Sequence, residues 1–77
     1  MSTSQQATGT SDPLYNLVSV YYHALKAAAD AQQYVQDAQQ AGDQQLVQFF
    51  QQSQQNARQA AEQAKSTLQQ QLSKGAS

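Results

Sequence analysis

The sequence predicts an all-α fold: an antiparallel two-helix hairpin that pairs with a second copy into a four-helix bundle. Three observations predict it. From Leu14 to Ala41 apolar residues recur at helical spacing with no breaker among them. One break, Ala41-Gly42-Asp43, is followed by a second such stretch that reaches Lys74. The apolar arc of the first stretch is also wider than one neighbouring helix can cover.

The hairpin is expected over residues 12–75, behind a tail over 1–11. That tail, MSTSQQATGTS, is mostly Ser, Thr and Gln without apolar periodicity, so it is expected to be disordered. Asp12 and Pro13 then form a helix start. The carboxylate can cap exposed N–H groups, and proline suits the first helical position, where its missing N–H costs nothing. The first helix is expected over about 13–41. Leu14, Tyr21, Ala28 and Val35 recur every seven residues, flanked by Leu17, Val18, Ala24, Leu25, Ala31 and Ala38. Such a helix is about 42 Å long at 1.5 Å per residue. At 100° per residue its apolar arc runs from Tyr34, Ala27 and Val20 to Ala29, Tyr22 and Tyr15. The arc spans roughly 240°, against 100° or somewhat more for a one-sided helix. Ser19, His23, Lys26, Asp30 and Asp37 make up the polar stripe. A lone hairpin would expose Val20, Tyr22, Tyr34 and parts of Leu14 to Val18 as one contiguous strip. Leu14, Leu17, Val18, Val20, Tyr21, Tyr22 and Tyr34 are therefore the expected dimer interface.

Gly42 suits the left-handed position that ends a helix, and Asp43 is a good N-cap for the next. A connection this short, over 42–43, makes the helices antiparallel neighbours. The second helix is expected over about 44–74, with Gly75 ending it. Its apolar arc is narrower, roughly 160°, so the first helix is expected to cover most of it and leave the rest wet. Folding at Gly42 sets Ala38 opposite Leu46, Val35 opposite Phe50, Ala28 opposite Ala57 and Leu25 opposite Ala60, with Leu14 near Leu72. Large thus meets small, as native packing density requires.

Bulk composition narrows the function. At 77 residues without cysteine, the chain has a core of marginal size and no disulfide or thiolate metal site to reinforce it. Four Lys+Arg stand against five Asp+Glu, with no basic patch, so neither nucleic acid nor a membrane is an expected partner. Charged residues are 12% of the chain, about half the usual share, and glutamine fills the difference at about a quarter. Weak charge repulsion opposes self-association less than usual. No run of about 18 apolar residues is present, and the first ten residues lack a basic start and apolar segment. The expected location is cytoplasmic.

Chemistry-bearing groups are sparse. His23 is the one histidine, and Asp30, at i+7, lies about 10 Å further along the axis, too far to share a ligand set. Glu62 is the one glutamate; Arg58, four residues before it, allows a weak surface pair. No nucleophile–base arrangement or phosphate loop is present, so no enzyme activity, catalytic residue, metal ligand or cofactor is expected. Tyr15 and Tyr22 lie on one edge of the first helix and Tyr34 near the other. They suit an interface rim between copies, or recognition of another protein's helix.

The stretches YNLVSVYYHAL (15–25) and AGDQQLVQFF (41–50) resemble small bacterial helical-hairpin proteins related to the ferritin-like superfamily. That resemblance implies a hairpin pairing with a second copy to give a four-helix bundle. Ferritin-like di-metal sites use Glu-x-x-His. Here Lys65 follows three residues after Glu62, and the second helix has no histidine. Where such hairpins often carry glutamates, amides stand at Gln36, Gln39, Gln44, Gln45, Gln48, Gln52 and Gln55. The fold carries over; no metal-site residue does. The expected function is a non-catalytic structural or protein-interaction module, a homodimer or a partner of another helical protein. The alternative is a degenerate ferritin-like metal or redox-associated protein using His23 with a carboxylate from the second copy. A secreted or filament-forming hairpin would also suit the low charge, but the tryptophan-glycine turn of one such family is absent, the turn being Ala41-Gly42-Asp43.

Overall fold

A computed structural model describes residues 12–76, and the expected disordered tail lies outside them. Two α-helices, α1 (Pro13–Ala41) and α2 (Gln44–Ala76), pack against each other as an antiparallel hairpin. Their ends are set by local chemistry. The Asp12 carboxylate accepts from Leu14 N–H at 2.9 Å and Tyr15 N–H at 3.4 Å, with Pro13 opening the first turn. At the other end Gly42 takes φ 71°. Its N–H donates to the Gln39 carbonyl and that of Asp43 to the Ala38 carbonyl, both at 3.1 Å. This is the Schellman closure, which satisfies carbonyls the helix end leaves over. Asp43 then caps α2, its carboxylate accepting from Leu46 N–H at 3.1 Å.

Nothing lies within 4 Å of the position a Cβ on Gly42 would take, so the constraint there is backbone conformation alone. Gly42→Val is expected to destabilise the hairpin by roughly 1 kcal/mol or more, read as a lower midpoint in chemical denaturation. An unchanged midpoint would mean the left-handed turn is not required.

α2 continues through Gly75, where the sequence predicts a stop. A glycine inside a helix costs roughly 0.5–1 kcal/mol relative to alanine. That penalty ends a helix when the chain must turn, as at Gly42, but does not by itself outweigh continued backbone hydrogen bonding.

The core is a seam of small residues: Ala24, Ala31, Val35 and Ala38 from α1, and Val47, Ala61 and Ala64 from α2. Val35, Ala38 and Val47 cluster with Phe50 packed against them. The expected proximity of Val35 and Phe50 is therefore found, while Ala38 meets Val47 rather than Leu46, which is exposed. Leu25 and Ala60 are exposed too; the seam runs one residue away, through Ala24 and Ala61. Leu14, at the open end beside Thr67 and Gln71, and Leu72 are both exposed, while Leu17 and Leu68 are half-buried. One cause accounts for this outward setting of the leucines. Alanines on both helices permit closer approach of the axes than leucines do, so the helices turn their alanine stripes together and their leucines outward. Gln54, at the edge of that seam, donates to the Ala28 carbonyl at 3.4 Å, tying α2 to the α1 backbone.

Candidate interaction surface

A core of five alanines and two valines leaves the large side chains outside. Leu14, Tyr15, Val18, Val20, Tyr22, Leu25, Tyr34, Leu46, Phe49 and Leu72 are all exposed, and no large side chain among the described residues is fully buried. Large contiguous apolar patches are rare on soluble monomers and mark interaction sites.

Helical geometry divides the exposed residues of α1. Val20 and Tyr22 are two positions apart, about 200° around the helix, and so lie on opposite sides of the seam. Tyr34, fourteen residues after Val20, returns to within about 40° of it. The single contiguous strip expected from the sequence is thus two strips. One carries Tyr15, Val18, Tyr22, Leu25 and Ala29; the other carries Val20, Ala27 and Tyr34. The seam runs within the expected arc and divides it. Of the seven residues expected at an interface, Leu17 and Tyr21 are half-buried at the seam, Leu14, Val18 and Tyr22 lie toward the first strip, and Val20 and Tyr34 lie on the second.

The second strip is extended by α2. Tyr34 and Phe50 rings are 5.5 Å apart and Phe49 and Phe50 rings 5.7 Å, edge-on or tilted, arrangements favoured by the ring quadrupole. Ala27, Asp30, Ala31 and Ser53 complete a shallow depression around them. Phe49 is 62% exposed, the most of any large apolar residue described. The sequence reading, which left the free face of α2 wet, missed it. The Phe49-Phe50 doublet carried the signal, because adjacent residues sit about 100° apart and a narrow contact buries only one of them.

Polar groups on α1 are engaged locally. His23 Nδ1 donates to the Ser19 carbonyl at 2.8 Å, and its ring meets Tyr22 edge-on at 5.4 Å. Lys26 and Asp30 form an exposed ion pair at 2.9 Å. Hydrogen bonding to the Asp30 carboxylate, followed by its charge, raises the Lys26 pKa above the ordinary lysine value. An ion pair thus forms at Lys26 and Asp30, whereas the sequence offered Arg58 with Glu62. No group of three or more His, Asp or Glu among the described residues could hold a metal ion. No helix among the described residues is long and apolar enough to cross a membrane.

Compared with models of protein families, with curated proteins and with solved structures, the chain matches none. The chain is a hairpin of two helices packed against each other, and no family is identified.

Proposed function

We propose that this protein is a non-catalytic interaction module that works as a homodimer, two hairpins joining into a four-helix bundle in the cytoplasmic setting the sequence predicts. One observation carries the reading: the hairpin encloses alanine and valine and displays its tyrosines, phenylalanines and leucines. Burying an alanine contributes little, whereas each large apolar side chain removed from water contributes about 1.5–3 kcal/mol. A chain of this size cannot draw stability from such a core alone, and a second copy supplies the missing burial.

Sedimentation equilibrium at micromolar concentration is the direct test. The expected particle is about 17 kDa, twice the 8.4 kDa chain. Its melting temperature should rise with protein concentration, because dissociation accompanies unfolding. A folded 8.4 kDa particle with a concentration-independent melt would overturn the proposal.

The ferritin-like metal or redox role makes a different prediction. Protein purified without chelator is expected to carry no stoichiometric iron, manganese or zinc by elemental analysis, since no cluster of carboxylates or further histidines lies beside His23 among the described residues. Metal at about one or two equivalents per dimer, lost on His23→Ala, would reverse that assignment.

A further inference from the structure

We propose that the α1 strip of Tyr15, Val18, Tyr22 and Leu25, with Ala29 at its margin, docks antiparallel on the same strip of a second copy, Tyr15 against the partner's Leu25 and Val18 against the partner's Tyr22. This rests on the homodimeric reading and adds the face, orientation and register.

The five residues follow one another at intervals of three, four, three and four, the seam of a coiled-coil helix pair. All five are exposed, so the seam is unfilled within the hairpin. It is also finite. The positions continuing the spacing are Ser11 before it and Gln32 and Gln36 after it, all polar. The apolar segment is therefore about 21 Å long.

Its size fits a second copy. Tyr15 and Tyr22 are each 60% exposed, Leu25 49% and Val18 45%. Together with Ala29 they offer on the order of 450 Å² of apolar surface. A stable interface buries about 800 Å² per partner, somewhat more than half of it apolar. The strip alone supplies that apolar share. Residues 1–11 hold only Met1 and Ala7 as apolar side chains, too few to match it. The strip carries no charge of its own, and at its edge Lys26 is occupied by Asp30. A surface without charge selects by shape, and this shape complements itself.

Orientation follows from side-chain size. A parallel pair would set Tyr15 on the partner's Tyr15 and Tyr22 on the partner's Tyr22, with Val18 facing the partner's Val18 across a gap. It would also align the two helix dipoles. Reversing one helix about a two-fold axis near residue 20 places each tyrosine beside a smaller aliphatic side chain. Both α2 helices then lie outside, and the Tyr34–Phe49–Phe50 side faces away.

The absence of cysteine makes single introduced thiols clean reporters. Tyr15→Cys and Leu25→Cys chains, mixed and oxidised, should give a covalent heterodimer by mass spectrometry. Each variant alone should not cross-link, because equivalent thiols then lie about 15 Å apart, beyond disulfide reach. In the unaltered chain, hydroxyl-radical footprinting across a dilution series should show Tyr15 and Tyr22 protected as the dimer forms, with Phe49 labelled throughout. Self-cross-linking of Tyr15→Cys, an uncross-linked mixed pair, or protection of Phe49 in place of Tyr22, each in a particle of dimer mass, would overturn the face or register and leave the homodimer standing. A particle of monomer mass at every concentration would overturn both.

Discussion

Ala31→Glu is expected to unfold the hairpin. Ala31 is 4% exposed, at the α1–α2 contact beside Phe50 and Ser53. A longer side chain there forces the axes apart where alanines hold them closest, and overpacking of this kind costs about 1–3 kcal/mol. The carboxylate adds a larger penalty, since no cation lies in the seam to pair with it and an unpaired buried charge costs several kcal/mol more. Domains of this size rarely hold more than about 3–5 kcal/mol of stability, so the sum exceeds what is available. Circular dichroism should show most of the helical signal lost even at high protein concentration. Gln32→Glu, one residue away on the exposed side of α1, should keep it. Retained helicity in the Ala31 variant would place the closest approach elsewhere.

The second large effect is on assembly. Tyr22→Glu combined with Leu25→Glu removes two exposed apolar side chains from each copy and leaves the alanine seam untouched. If those residues join the copies, each loss forfeits about 1–2 kcal/mol, and the two-fold axis counts every substitution twice. Four like charges at the contact add repulsion. Association should weaken by on the order of a thousandfold or more, so that sedimentation at micromolar concentration reports the single-chain mass and the melt loses its concentration dependence. Phe49→Glu, at the aromatic depression, should leave the particle mass unchanged. An outcome in which only the Phe49 variant dissociates would move the interface to the opposite strip.

Local signals in the chain were sufficient for some features and blind to others. Asp12, Pro13, Gly42 and Asp43 each act on backbone groups within a few residues. Their effect can therefore be read without knowing what else is nearby, and the two caps and the Schellman turn stand where the sequence places them. The antiparallel pairing followed from the brevity of that turn. Gly75 shows the limit of such signals: glycine permits a helix to end but does not compel it.

The width of the α1 apolar arc was also legible, because it depends only on the 100° step between residues. Which part of that arc meets α2 was not. Leu25 and Ala24 are neighbours on the wheel, and either could have faced inward; Ala24 does, and Leu25 is half uncovered. The choice is made by both helices at once. Each turns about its axis until the Ala24–Ala31–Ala38 stripe of α1 faces the buried Val47, Ala61 and Ala64 of α2, since that rotation brings the axes closest. The same rotation pushes Phe49 out beside Tyr34 and splits the exposed apolar surface into two strips, leaving Tyr22 on one and Val20 on the other. Sequence by itself determined two capped helices, a left-handed glycine turn and an excess of apolar surface on α1, because each is a property of a short stretch of chain. Only the tertiary structure decided the rotational setting, and with it which residues are core and which are left to face another molecule.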